Sequence, residues 1–489
     1  MFCPKCSLLP RTAANVLSKW LAPFSTTADI SSKGMDEIPS AKGLPFVGTT
    51  LSLIMAGSTP KLHRYIDKRH KQLGPIFKER IGPVSCVFIS DPEAMRSVFA
   101  HEGKYPIHLL PEAWTTYNAL HNVSRGLFFM NGEEWLHFRR ILNPLFLKGD
   151  QSWLEDSCRP AIKSLVQKIG EISIRANDHP KIEELLYRWS LEVIVSVLIG
   201  PENYTKVKTE LNPPIANLAS TIHLVFETSS KLALISSNFA AKYRIPRWKK
   251  FEATVTFALK SAADLVELLL TNYVEGDNGL LGKLRGQMTA NELARIVTDL
   301  ILAAGDTTAY SMEWLLYLVG KHTKVQERLR EEVRVCEKEG QKLTSNLYLK
   351  NVVKESLRLY PVAPFLTRIL PEPIQIRGYC VPAGTILILS IFTTGRDEQN
   401  FNNPLVFDPD RWIRNEIRSG IAQSAALPFA VGVRSCIGKK LAEAQLQLTL
   451  AEIVQHYDFR IANRNEVEVI LKMVAVPSEE IQFKFKSIK

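Results

Sequence analysis

Phe429-Ala430-Val431-Gly432-Val433-Arg434-Ser435-Cys436-Ile437-Gly438 is the stretch around which the rest of the chain makes sense. Cys436 is its centre, bracketed by Gly432 and Gly438. Glycines there let the backbone turn tightly and approach a flat ligand where a side chain would clash. Downstream, Leu441, Ala444, Leu448 and Ala451 recur at helical spacing, so the cysteine sits in a loop that feeds a helix N-terminus. The unpaired N–H groups of such a terminus favour an anion and lower the pKa of a thiol. Arg434 places a positive charge two residues away, and Phe429 is placed to keep water off the sulfur. A single cysteine in a long chain serves most often as a small buried hydrophobe. Cys436 taken alone leaves that reading open beside the one in which its thiolate binds a metal.

A thiolate held in this way is a strong axial ligand for haem iron, and the electron density it donates favours O–O cleavage. The whole stretch, Phe-x-x-Gly-x-Arg-x-Cys-x-Gly, resembles the haem-binding signature of the cytochrome P450 family. The resemblance implies haem b (iron protoporphyrin IX) as cofactor, Cys436 as the axial iron ligand, Arg434 as a propionate contact and Phe429 as the shield of the sulfur. It also implies the cytochrome P450 fold, mainly α with a small β-rich lobe.

Composition is compatible with that outcome and excludes others. The chain has 489 residues, 46% of them hydrophobic, and neither an internal repeat nor a low-complexity tract. That is enough for one large buried core. The formal net charge of +11 suits an acidic protein partner or an anionic membrane. No helix combines dense basic residues with aromatics, so nucleic acid is not expected as a partner. Seven scattered cysteines suggest no disulfide framework. Cys3 and Cys6 form a lone Cys-x-x-Cys without the second pair that a zinc site needs.

The first 28 residues contain Lys5, Arg11 and Lys19 and no acidic residue, with frequent Ser and Thr. This is the composition of a mitochondrial transit peptide, expected over residues 1–33, with removal ending between Ala22 and Asp36. Residues 34–489 are expected to form the catalytic domain. A Pro/Gly-rich segment from Ile38 to Gly48 opens it. Leu62–Leu73 reads as a helix, Ile76–Ile81 and Val84–Ile89 as a hairpin turned at Gly82-Pro83, and Asp91-Pro92 as the start of another helix. Pro106 to Gly126 reads as a long loop. Residues 150–275 read as helical with breaks at Gly200-Pro201, Pro213-Pro214 and Pro246; the resemblance makes Tyr204 to Trp248 a mobile lid. Lys321 to Lys342, dense in both charge signs, reads as a solvated helix. Further on, Ile374–Ile376, Ile386–Leu389, Val467–Val469 and Ile481–Phe485 read as strands, with a turn at Ala475-Val476-Pro477.

Three side-chain constellations stand out. Thr289 and Glu292 form a capping box that opens a long helix. In its middle, Ala303-Ala304-Gly305-Asp306-Thr307-Thr308 is a poor helix former. A threonine hydroxyl there can bond back to a carbonyl and open the ladder. Asp306 and Thr307 would relay protons as general acids, unless Asp306 is a helix N-cap. This stretch resembles the family's oxygen-activation motif, with Ala304 where a glycine is usual and the glycine displaced to 305. Trp135 and Arg139 share one helix face; alone they suggest a stacked surface pair, and by resemblance they reach a haem propionate, as does Arg368. Glu355 and Arg358, three apart, are by resemblance a buried pair completed by Arg411 of Pro409-Asp410-Arg411-Trp412, serving folding and not chemistry.

Together these motifs imply a monooxygenase that inserts one atom of dioxygen into a C–H bond of a hydrophobic small molecule. Within the family the chain is similar to the mitochondrial class and, across its length, to arthropod ecdysteroid hydroxylases acting at carbon 2. Mitochondrial hydroxylases of other sterols or of xenobiotics are the alternative. A haem-thiolate isomerase or dehydratase, or a haem sensor, would not need the Asp306–Thr307 pair. The class implies an adrenodoxin-like ferredoxin with its NADPH reductase as partners and peripheral attachment to the matrix side of the inner membrane. Lys350, Lys354, Lys439 and Lys440 are expected to form the ferredoxin-docking patch.

Overall fold

The helix Ile182–Ile199 is buried along almost its whole length and around its circumference. A helix without a polar face is stable only when other elements surround it. Here Ser152–Ile174, Pro201–Ser230 and Ala290–Lys321 pack on it. Lys439–His456 packs in turn against Ser152–Ile174 and Leu347–Leu359. The structure, a computed structural model, describes residues 33–488 except 46, 83, 175–179, 275–277 and 414–423. The transit-peptide segment up to Ser32, the Cys3–Cys6 pair, Phe46 and Pro83 lie outside the described residues.

The β-rich lobe is built on a sheet in the spatial order Ile76–Ile81, Val84–Ile89, Ile386–Leu389, Leu366–Ile369. The first pair is antiparallel with Ile76 opposite Ile89, the second parallel with Cys86 opposite Ile386, and the third antiparallel with Leu366 opposite Leu389. Val87, Ile89, Leu387 and Leu389 enter one apolar cluster with Met95 and Val98, while Phe77 and Phe88 enter another with Tyr65 and Ile66. Opposite faces of the sheet thus feed separate cores, as the period-two alternation requires. The fold is therefore mainly α with a small β-rich lobe.

Local signals behave largely as expected. Leu62–Leu73 is a helix, and Asp91 Oδ1 accepts the Ala94 N–H at 2.8 Å to start the helix Pro92–Ala100. The Thr289–Glu292 box is closed, with Glu292 Oε2 accepting from Thr289 N at 2.8 Å.

Four expectations are corrected. Pro106–Gly126 is not all loop, because Glu112–Leu120 is helical. Only nine residues long, it is held by docking Trp114 and Tyr117 against Phe251 and not by a strong local pattern. Pro213-Pro214 does not break its helix; Pro201–Ser230 runs through. Leu211, Ile215, Leu218 and Ile222 continue a buried stripe across the prolines, so packing outweighs the lost N–H groups. Lys321–Lys342 is not purely solvated, since Gln326, Leu329, Val333 and Cys336 bury one side of Thr323–Lys338. Ala475–Pro477 is strand, paired with Val469–Lys472, and the turn falls at Met473 with φ of 65°.

Candidate haem-thiolate site

The cysteine loop is held before any ligand is considered. Cys436 N donates to Phe429 O at 2.9 Å, and Ser435 N to Gly432 O at 3.2 Å. Gly432 has φ of 83°, in the left-handed region that favours glycine. A Cβ there would run into the Glu102 carboxylate. That carboxylate accepts the Val433 N–H at 2.8 Å, so it fixes the loop from below. Gly438 caps the helix Lys439–His456, so the cysteine does stand at a helix N-terminus. Cys436 keeps accessible surface although protein packs densely around it. Burial raises its thiol above the ordinary value, while the Gly438 N–H, Arg139 and Lys439 pull it down. Phe429 is half-buried against the core, with the Lys439 ammonium 5.9 Å from its ring.

Beside this loop lies a cationic cluster. Arg139, on Gly132–Leu147, donates from Nη2 to Val433 O at 3.1 Å and lies 5.7 Å from the ring of buried Trp135. Arg368 pairs with Glu102 at 2.7 Å. Arg434 lies 5.0 Å from the same Trp135 ring and donates to the Pro106 and Met130 carbonyls, each at 2.7 Å. Its guanidinium thus ties the cysteine loop to the start of the Trp135 helix. Three arginines converge on one buried carboxylate, leaving an excess of two positive charges. Arg139 Nε and Arg368 Nη2 are buried without hydrogen-bond partners. Leaving a buried donor unpaired costs about 1–3 kcal/mol. Such donors beside surplus positive charge suit a dianion such as the two propionates of haem b.

Sequence reasoning missed two members of this cluster. Glu102 looks like any acidic residue after a helix, and its partners lie 266 and 331 residues away. Both ring nitrogens of His108 are buried and unpartnered, and its ring packs 4.8 Å from Phe128. Burial, helped by Arg434 and Arg368, lowers its pKa to about 3, so the imidazole is neutral. No local pattern marks a single histidine in an irregular segment.

Ala290–Lys321 is helical without interruption. Asp306 lies in mid-helix, not at an N-cap, and is 1% exposed. Thr307 Oγ1 bonds back to Ala303 O at 2.8 Å, as its position suggested. Gly305 has a packing reason: a Cβ would come within 2.7 Å of Ile222 Cδ1. Its carbonyl accepts the Ser190 hydroxyl at 3.1 Å. Burial pushes the Asp306 carboxyl up to about 8, with Tyr187 and Lys472 pulling it back and Glu183 adding to the rise.

The third constellation is assembled in full. Glu355 is entirely buried and accepts from Arg358 at 2.7 and 2.9 Å, Arg411 at 2.7 Å and Trp412 Nε1 at 2.9 Å. Lys354 is half-buried, its ammonium 3.7 Å from the Trp412 ring. Lys350 and Lys440 are exposed, and Lys439 is near enough to Lys354 to depress its pKa after burial has done so.

A family model described as Cytochrome P450 matches residues 38–485. The chain belongs to the cytochrome P450 family. It is a monooxygenase, and its cofactor is haem b. The chain is 38% identical to "Cytochrome P450 315a1, mitochondrial" of Drosophila melanogaster, over 91% of its own length and 87% of that protein's. It is 28% identical to "1,25-dihydroxyvitamin D(3) 24-hydroxylase, mitochondrial" of Rattus norvegicus, covering 95% and 91%. Identity is also 28% to "Cholesterol side-chain cleavage enzyme, mitochondrial" of Equus caballus, over 87% and 84%. Among solved structures, "Retinoic acid bound cyanobacterial CYP120A1" shares the fold, with a TM-score of 0.74 at 22% identity over 92% of this chain and 99% of that one. Among the described residues no group of three or more His, Cys, Asp or Glu could hold a metal ion, and no helix is long and apolar enough to cross a membrane.

Proposed function

We propose that this P450 hydroxylates an ecdysteroid precursor at carbon 2, in moulting-hormone biosynthesis inside mitochondria. The carrying observation is the 38% identity to an arthropod mitochondrial P450, against 28% for the two mammalian mitochondrial enzymes above. Those two enzymes support the wider reading, a mitochondrial hydroxylase of other sterols.

Haem b, when bound, supplies the reductive activation of dioxygen and the transfer of one oxygen atom to a C–H bond. The chain's own residues do the remaining work. Cys436 ligates the iron from the helix-capping loop, and Phe429 keeps water from the sulfur. Arg139, Arg368, Trp135, Arg434 and His108 receive the propionates. Asp306, protonated near neutral pH, supplies a proton, and Thr307 positions it. Glu355, Arg358 and Arg411 hold the proximal side together.

Electrons arrive from an adrenodoxin-like ferredoxin, itself reduced by an NADPH reductase, on the face bearing Lys350, Lys354, Lys439 and Lys440. Residues 1–33 direct import, and residues 34–489 act on the matrix side of the inner membrane. Exposed Leu51, Ile54 and Met55, and exposed Phe239 and Tyr243 beside Lys242 and Arg244, support a peripheral membrane contact. Incubating the purified holoenzyme, ferredoxin and reductase with 2-deoxy ecdysteroids and a sterol panel tests the reading. The expected product carries one new hydroxyl at carbon 2. Hydroxylation elsewhere, or turnover only of non-ecdysteroid sterols, overturns the substrate assignment.

A further inference from the structure

Two helices face each other beside Asp306, and each presents a pair of side chains one turn apart. Ala290–Lys321 carries Asp306 and Tyr310, and Ile182–Ile199 carries Glu183 and Tyr187. Residues four apart lie on one helix face. The Tyr310 hydroxyl donates to Glu183 Oε1 at 3.0 Å across the interface. The Tyr187 and Tyr310 rings meet edge to face, centroids 5.6 Å apart. The Tyr187 hydroxyl and Asp306 Oδ1 are both buried and without a partner in hydrogen-bonding geometry. Yet the hydroxyl is close enough to Asp306, and to Tyr310, to shift the acidity of each. Proton-transfer partners commonly stand out of hydrogen-bonding geometry before substrate binds. Asp306, Tyr187 and Tyr310 are 1%, 3% and 4% exposed, while Glu183 reaches the surface.

We infer that Tyr187 and Tyr310 form a proton relay that connects Glu183 at the surface to Asp306 in the interior. The inference rests on the role proposed above for Asp306. A proton taken from solvent by Glu183 passes to Tyr310 Oη as Tyr310 gives its own to Tyr187 Oη. In the same concerted movement Tyr187 gives its own to the Asp306 carboxylate left by the previous turnover. Each O–H bond broken is matched by one formed, no electron moves, and both tyrosines end neutral. Burial holds both phenols far above their usual pKa, so neither is lost as a phenolate. The other charged or titratable groups around the relay are His223, 5.7 Å from the Tyr187 ring, and Lys472, paired with Glu227 at 3.1 Å. Buried Glu313 lies within electrostatic reach of Tyr310. None of these has a hydrogen bond to Asp306, and Tyr310 is already bonded to Glu183 at the outer end of the relay.

Tyr187→Phe and Tyr310→Phe keep the ring packing and remove only the hydroxyls, and Asp306→Asn removes the acceptor. All three are tested as holoenzymes whose reduced carbon monoxide spectrum is that of the parent. In turnover with a 2-deoxy ecdysteroid, ferredoxin and reductase, Asp306→Asn should slow product formation about a hundredfold. Each tyrosine variant should slow it roughly tenfold, water replacing part of the relay, and should divert NADPH into peroxide. Infrared titration needs no turnover: the Asp306 carboxyl band, identified by its loss in Asp306→Asn, should titrate at higher pH in Tyr187→Phe. Wild-type rate and coupling in either tyrosine variant, or an unmoved carboxyl midpoint, overturns the relay. Unchanged turnover in Asp306→Asn overturns instead the role of Asp306 itself.

Discussion

Two buried carboxylates, Glu355 and Asp306, are provided for in opposite ways. The Glu355 oxygens accept from Arg358, Arg411, Trp412 and the Asp408 N–H. Asp306 Oδ1 accepts from nothing within hydrogen-bonding geometry, and Tyr187, close enough to shift its acidity, is equally unpaired. A buried charge surrounded by donors and cations is fixed as a charge and serves architecture. A buried carboxyl without them sheds its charge by holding a proton, and a held proton can be delivered. On the function proposed above, the same residue class builds the proximal wall and works on the distal one, and the number of donors aimed at it decides which.

The largest test of this contrast is Glu355→Ala. Removing the acceptor strands Arg358, whose side chain is wholly buried, and a broken buried pair costs about 3–5 kcal/mol. Urea unfolding of the holoenzyme should show a loss of that size together with poor haem retention. A loss below about 1 kcal/mol would mean that the network adds little to stability.

Asp306→Asn should act in the opposite sense, and only over part of the pH range. Burial raises the folded-state pKa from 3.8 to about 8. Between these values the folded chain holds a proton that the unfolded chain has lost. Stability from this group is thus greatest below pH 4, falls as pH rises through the interval, and levels off above 8. The amide that replaces the carboxyl cannot ionise, so the variant should be more stable than the parent at pH 8 and should lose the downward slope between pH 4 and 8. Parallel stability curves for parent and variant across that interval would show that Asp306 is not proton-bound.

The parts of the molecule also differ in how far they could be read beforehand. Trp135/Arg139, Glu355/Arg358 and the cysteine loop are short motifs, and the structure assembles each as a unit. Capping at Asp91 and Thr289, and the alternation of Ile76–Ile81 with Val84–Ile89, are equally local. Where packing outweighed local preference, the reading failed: Pro213-Pro214 stays helical, and Glu112–Leu120 is helical because Trp114 and Tyr117 have a core to enter. Glu102, His108 and Tyr187 were invisible for a related reason. What Glu102 and Tyr187 touch lies far away in the chain, on a separate element, and His108 is a single histidine in an irregular segment, so spacing carries no trace of them.

The smallest expected effect concerns the outside of the proximal wall. Reversing Lys354 would confuse docking with folding, because its ammonium stacks on Trp412, which itself donates to Glu355. Lys350 and Lys440 are exposed, on the two helices that flank the cysteine loop, and neither carries an ion pair with an acidic side chain among the described residues. Lys350→Glu with Lys440→Glu therefore changes surface charge and little else. If an acidic ferredoxin docks here, two like-charge contacts replace two attractive ones, and its apparent Michaelis constant should rise about tenfold at low salt. The difference should shrink as salt rises, since screening acts over about 8 Å at physiological ionic strength. The substrate-binding spectrum and the urea midpoint should not move, because neither lysine touches the distal wall or the Glu355 network. An unchanged ferredoxin Michaelis constant would put electron entry on another face. A shifted substrate spectrum would mean that the two walls are coupled, and that the division of labour between Glu355 and Asp306 is less complete than their hydrogen bonds imply.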